Sequence, residues 1–229
     1  MSTAILAPID ACVFDAYGTL FDVHSAAARC RDGLGDCADR LSALWRRKQV
    51  EYTWLRSLMG VHADFAQVTA EALDYALATV GIADAELRHR LLDTYRRLDA
   101  FKEVPEVLGR LRSAGLPTAI LSNGSPAMLD SAVGSARLGD LLDMVLSVES
   151  VGIYKPHPSV YHLAVERLGV PAGRTCFLSS NGWDAAGAAQ FGFRVVWINR
   201  DGQPAERLPA APDAVLGDLS GLPALLGHV

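Results

Sequence analysis

Asp15 closes the short apolar run Ala11-Cys12-Val13-Phe14 and precedes Ala16-Tyr17-Gly18-Thr19-Leu20-Phe21-Asp22. A run this short, bounded by a Gly-Thr turn signal, predicts a fully buried parallel strand rather than a helix. Asp15 is then expected just past the strand's carboxyl end, exposed to a ligand. Ligands of open parallel sheets bind there, and a carboxylate in that position can attack carbon or phosphorus covalently. Two residues on stands Tyr17 rather than a second acid, so the site lacks an obvious proton donor and gains an aromatic wall.

Other polar groups follow apolar runs in the same way: Ser122-Asn123 after the second run and Ser179-Ser180-Asn181 after the fourth. In a doubly wound order the first strand lies at the switch point between the second and fourth, so the three polar ends converge. Ser122 and Asn123 have a plain alternative as caps of the helix opening at Pro126, and a helix N-terminus is also a ready anion site. Lys155 sits in Tyr154-Lys155-Pro156-His157-Pro158, where two prolines fix a loop, and an isolated lysine usually faces solvent. Asp184 falls at a helix start, where a carboxylate is favourable for structural reasons alone. Arg46 and Arg47 lie on an amphipathic helix, whose arginines are ordinarily a solvated face.

Apolar β-like runs alternate with helical patterns at Ala11–Phe14, Thr118–Leu121, Met144–Leu146, Cys176–Leu178, Val195–Ile198 and Ala214–Leu216. That rhythm predicts an α/β fold with a doubly wound, Rossmann-like parallel sheet. From about Val23 to Leu98 no strand is evident. Leu41, Leu44, Trp45 and Lys48 share one helical face, and Leu87, Leu91, Tyr95 and Leu98 share another. This block reads as a helical cap, residues 23–98, inserted after the first strand of a core made of 1–22 and 99–229. Gln203–Pro212 reads as a Pro/Ala-rich surface loop.

The Phe14–Asp22 segment resembles the nucleophile motif of the haloacid dehalogenase superfamily, and its aromatic variant is similar to that of the L-2-haloacid dehalogenases. The resemblance recurs at Leu44–Leu55, Leu121–Gly124, Tyr154–Pro158 and Ser179–Asp184, in order and over nearly the whole chain. It implies a hydrolase that converts (S)-2-haloalkanoic acids to (R)-2-hydroxy acids through an aspartyl ester on Asp15. Lys155 is then the cation that keeps Asp15 ionised and pairs with Asp184. Asp184 with Ser179 and Asn181 orders Lys155 and the hydrolytic water. Ser122 and the Asn123 backbone N–H, helped by the Thr19 hydroxyl, anchor the substrate carboxylate. Tyr161 resembles the family's site tyrosine, which hydrogen-bonds near the nucleophile, and is counted with the substrate-binding residues. Arg46 becomes the halide acceptor, with Asn123 and the edge of Trp183 completing the cradle. Tyr17, Val50, Phe65 and Trp183 wall the substrate's side chain, although each has an ordinary core reading. Arg47 departs from the family's usual glutamine and bears on substrate size and polarity.

Metal-dependent phosphatases of the same superfamily carry acids at the positions of Tyr17 and Ser180. Mg²⁺ demands hard oxygen ligands, so the site reads as metal-free, and no cofactor is expected. A small-molecule phosphatase, a hydrolase of another activated 2-substituted acid, and a catalytically silent binding module are the alternatives. The set Asp15, Lys155 and Asp184 argues against the last.

With 229 residues, half of them hydrophobic, the chain can bury a substantial core plus a smaller lobe. Its 21 basic and 26 acidic residues give a formal charge of −5 and no Lys/Arg block, so nucleic acid is not an expected partner. No basic n-region or membrane-length apolar run appears, and cytoplasm is the default. Cys12, Cys30, Cys37 and Cys176 form no C-x-x-C pair and read as inert thiols. The resemblance implies a homodimer formed through the cap.

Overall fold

The computed structural model describes residue 6 and residues 8–227; part of the N-terminal stretch read for a signal segment lies outside them. Six parallel strands form one sheet: β1 (Ala11–Phe14), β2 (Thr118–Ser122), β3 (Met144–Ser147), β4 (Thr175–Ser179), β5 (Arg194–Ile198) and β6 (Ala214–Leu216). Their order is β3-β2-β1-β4-β5-β6, all neighbours parallel. The expected doubly wound α/β arrangement is therefore present, with β1 between β2 and β4. Every residue of β1, β2 and β4 is buried, which is why these strands read as continuous apolar runs rather than alternating ones. The pairing sets Phe14 beside Ile120 and Leu178, so Asp15, Ser122 and Ser179 emerge at one edge.

Between β1 and β2 run α1 (Ser25–Arg29), α2 (Arg31–Leu34), α3 (Ala38–Met59), α4 (Phe65–Val80), α5 (Ala85–Tyr95) and α6 (Val104–Ser113). Asp64 accepts from the Gln67 N–H and Asp84 from those of Glu86 and Leu87, so each carboxylate caps a helix start. Glycines in the left-handed region at Gly60 and Gly81 end α3 and α4. Leu41, Leu44 and Trp45 are buried on α3, and the Trp45 indole donates to the Thr69 carbonyl of α4 at 2.9 Å. That indole bond fixes how the two helices pack. Leu87, Leu91 and Tyr95 form the buried stripe of α5, and Leu98 is buried just past it.

The remaining helices are α7 (Pro126–Ser135), α8 (Pro158–Leu168), α9 (Gly182–Phe191) and α10 (Leu222–Leu225). Segment 203–209 is exposed throughout. All four cysteines are free thiols. No helix among the described residues is long and apolar enough to cross a membrane.

Candidate active site

Because β1 ends inside the sheet, the turn after it must fold back over the strand ends. Gly18 makes this possible with φ +89°, and a Cβ there would lie 2.9 Å from the Ser180 hydroxyl. A side chain at Gly124 would meet the Tyr17 ring at 2.7 Å. Both glycines let backbone approach where a β-carbon has no room.

Three donors converge on Asp15. Lys155 Nζ lies 3.0 Å from Oδ1, while the Thr19 hydroxyl at 3.2 Å and Asn181 Nδ2 at 2.8 Å reach Oδ2. Asp15 is only 6% exposed, so the carboxylate expected to stand open is enclosed and held in one orientation. Around it the Tyr17 ring packs on Phe65 of α4, and the Tyr17 carbonyl accepts from Arg46 of α3. Lys155 is buried as well, and its Nζ also donates to Asp184 Oδ2 at 2.9 Å. Burial alone opposes its charge, yet the two carboxylates outweigh that and raise the ammonium above its usual range. Asp184, in the first turn of α9, is lifted above the ordinary carboxylate range by burial, against the pull of Lys155.

Arg46 reaches this cluster from α3. Its Nη2 donates to Asn181 Oδ1 at 3.1 Å and to the Tyr17 carbonyl at 3.3 Å, and its Nη1 donates to Gln49 Oε1 at 2.9 Å. A cavity of about 450 Å³ borders Arg46, Ser180 and Asn181 and runs out past His24 and Arg200. The Tyr17 ring is buried beside Phe65 at 5.5 Å, Tyr95 at 5.7 Å and Phe21 at 6.5 Å. Burial pushes its phenol well above the usual range, which makes it a poor proton donor. A buried carboxylate gripped by donors, near a guanidinium and followed two residues on by Tyr17 rather than an acid, suits displacement of a leaving group that departs as a stable anion.

Residues 9–192 match the family of haloacid dehalogenase-like hydrolases. (S)-2-haloacid dehalogenase 1 of Pseudomonas sp. (strain CBS-3) is 49% identical over 220 residues, 96% of this chain and 97% of that one. (S)-2-haloacid dehalogenase 4A of Burkholderia cepacia is 50% identical over 86% of this chain and 85% of its own. The chain belongs to the (S)-2-haloacid dehalogenase family. A solved L-2-haloacid dehalogenase from Xanthobacter autotrophicus, with chloropropionic acid covalently bound, superposes with TM-score 0.90 at 39% identity, covering 97% of this chain and all of that one.

The residues expected at a dehalogenase site differ in how closely they approach Asp15. Tyr161 is not on a substrate wall: it is fully buried on α8 and donates to Asp184 Oδ1 at 2.8 Å, behind the carboxylate. Asn123 does not meet Arg46 through the contacts seen here; its Oδ1 accepts from the Lys155 N–H at 3.1 Å, and Asn181 takes the Arg46 side. The Thr19 hydroxyl is engaged with Asp15 and with the Ser180 N–H at 2.8 Å, which ties it to the nucleophile rather than to a substrate carboxylate. Arg47 is exposed, because one residue along α3 turns the side chain about 100° away from Arg46. Ser122 is buried with Oγ accepting from the Gly124 N–H at 3.0 Å, and Ser179 Oγ accepts from the Asn181 N–H at 3.2 Å. Val50 is half-buried one turn after Arg46. Phe65 is buried at the start of α4, while Trp183 stands edge-on to Trp54 at 5.2 Å and borders an apolar cavity with Pro156, Gly187 and Leu208.

Sequence reading overlooked Gln49, Thr69 and Tyr95, which lie behind Arg46, and Arg200, whose Nη2 donates to the Thr19 carbonyl at 2.8 Å. The signal for Gln49 was present: a neutral amide three residues after Arg46, among residues that pack inward.

Proposed function

We propose that this protein hydrolyses short (S)-2-haloalkanoic acids to (R)-2-hydroxy acids, without a metal or cofactor, through an ester on Asp15. One observation carries the reading: Asp15 is held by Lys155, Thr19 and Asn181, with Arg46 joined to it through Asn181, and the residue two positions on is Tyr17 rather than an acid that could protonate a leaving group. A halide needs no proton to depart. An Asp15 oxygen attacks Cα opposite the halogen, the new C–O bond forms as the carbon–halogen bond breaks with inversion, and Arg46 receives the halide. Water then adds to the Asp15 carboxyl carbon and the ester C–O bond breaks. The water oxygen stays in the restored carboxylate, one of its protons ends on the product hydroxyl, and the other is released, balancing the halide.

Ser122 and the Asn123 backbone hold the substrate carboxylate in this reading, and Tyr17, Val50, Phe65 and Trp183 surround its side chain. Ser179, Asn181 and Asp184, braced by Tyr161, keep Lys155 and the water in place. Fixing nucleophile and carbon in line can supply effective molarities of about 10⁵–10⁸ M. The helices of residues 23–98 act as the cap that excludes bulk water.

Two features favour this over phosphatase chemistry. Arg46 and Asn181 both donate to the Tyr17 carbonyl, so that oxygen is engaged by a cation and an amide. Lys155 occupies the space between Asp15 and Asp184. A divalent cation beside Asp15 would meet two positive side chains. Halide release from (S)-2-chloropropionate, and not from its enantiomer, is the expected result, and it should survive exhaustive chelation. Loss to EDTA with recovery on Mg²⁺, or hydrolysis of a chromogenic phosphate ester instead, would return the protein to the phosphatases.

The protein is further proposed to work as a cytoplasmic homodimer. Leu55, Leu58, Met59 and Val61 near the end of α3, with Tyr75 on α4, are all more than 40% exposed, an apolar surface that a second copy would cover. Sedimentation at micromolar concentration should give twice the mass of 24.5 kDa, and fractionated cells should hold the protein in the cytosol. A monomer there would discard the dimer.

A further inference from the structure

Gln49 is fully buried on α3, and both ends of its amide are bonded. Its Oε1 accepts from Arg46 Nη1 at 2.9 Å and from the Tyr95 hydroxyl at 3.1 Å, and its Nε2 donates to Thr69 Oγ1 at 2.7 Å. Thr69 in turn donates to the Phe65 carbonyl at 2.6 Å. A guanidinium and a phenol can both donate, so the carbonyl end of Gln49 must face them and the amide has one workable orientation. Tyr95 cannot drift, because its ring stacks on Tyr17 at 5.7 Å and packs on Trp45 at 4.9 Å. On its other side Arg46 meets Asn181, whose Nδ2 reaches Asp15. A continuous chain of hydrogen bonds therefore runs Thr69–Gln49–Arg46–Asn181–Asp15, from α4 to the nucleophile.

We propose that Gln49, held by Tyr95 and Thr69, is the positioning residue that aims the Arg46 guanidinium at the departing halide while leaving its charge uncancelled. The proposal rests on the reading of Arg46 as halide acceptor. An acceptor is needed there, because the half-buried guanidinium loses water on this edge and an unpaired N–H would carry a desolvation cost. A carboxylate would meet that need too, but it would neutralise the cation just where leaving-group charge develops. A neutral amide aims the group and keeps its field. Glu51, the nearby acid on the same helix, pairs with Lys48 at 2.9 Å and so leaves Arg46 alone.

The test compares Gln49→Glu, Gln49→Leu, Arg46→Ala and Arg47→Ala in single turnovers with (S)-2-chloropropionate and (S)-2-bromopropionate, alongside thermal melts. Chloride is the poorer leaving group and depends more on the cation. Gln49→Glu, nearly isosteric, should melt close to the parent, keep KM within about twofold, and slow the chloro substrate by about tenfold or more, with a smaller loss on the bromo substrate. Gln49→Leu should shift the bromo/chloro ratio in the same direction whatever its melting point. Arg47→Ala should leave the ratio unchanged. If Arg46→Ala moves the ratio and both Gln49 variants leave it at the parent value, Gln49 is only a core residue and the proposal fails alone. A ratio unmoved by Arg46→Ala removes the halide role of Arg46 and this proposal with it. An equal shift from Arg47→Ala would mean that net helix charge, and not the aim of one guanidinium, is being read.

Discussion

In a single turnover with enzyme in excess and ¹⁸O-enriched water, the 2-hydroxy acid should emerge largely unlabelled and the label should appear in the peptide containing Asp15. The product's hydroxyl oxygen then comes from the carboxylate, and water replaces it only when the ester is hydrolysed. Direct attack by water, with Asp15 as general base, reverses the pattern and puts ¹⁸O in the product at once. The geometry favours the first course. A general base needs an approachable water, whereas Asp15 is 6% exposed and its oxygens are committed to Lys155, Thr19 and Asn181. Those donors fix the carboxylate for one line of attack. Asp15→Ala should then lose about 10⁴–10⁶-fold in kcat, the range that follows removal of a nucleophile acting as one unit with its neighbours. Label in the product and none in the protein would end the assignment of Asp15 as nucleophile.

How much of this could be read from the chain depends on where each residue's partners lie. The strands were legible because a parallel strand buried on both faces must be an uninterrupted apolar run, and Asp15, Ser122 and Ser179 mark where such runs stop. The convergence of their ends followed from the doubly wound order alone. Of the second layer around the site, only the Arg46–Gln49 spacing on α3 was legible. Gln49, Thr69 and Tyr95 are polar residues on helices whose patterns predict only an inward or an outward face. Their work depends on how α3, α4 and α5 pack against one another, and no spacing along one helix encodes that. Tyr161 shows the same limit: one turn into α8 it reads as near the site, and only the packing of α8 on α9 shows that it braces Asp184 from behind. For Arg46 and Arg47 the periodicity separates two directions, but which one faces Asp15 is decided by contacts with Tyr17 and Asn181.

Replacing Lys155 with methionine should damage stability and activity together. Lys155 is 1% exposed and lies within 3.0 Å of Asp15 and 2.9 Å of Asp184, so its removal leaves two buried carboxylates facing each other without a cation. Breaking a buried pair in this way typically costs about 3–5 kcal/mol. The pH dependence carries the sign of the charge. In the parent the lysine's raised pKa gives stability that is complete below its unfolded value and lost only as pH climbs through the folded one. In Lys155→Met the opposite limb appears. Burial already lifts Asp184 and Lys155 holds it down, so without the lysine its pKa rises further. The variant should therefore regain stability as pH falls and Asp184 takes up a proton, more steeply than the parent, in which Lys155 limits that rise. Turnover should drop by about 10²–10³-fold, as for loss of a preorganised charge at the reacting centre. Denaturant melts of both proteins from pH 5 to pH 8 would check this. Parallel curves, with the variant no more stable at pH 5 than at pH 8, would show that Lys155 does not hold Asp184 in its charged form.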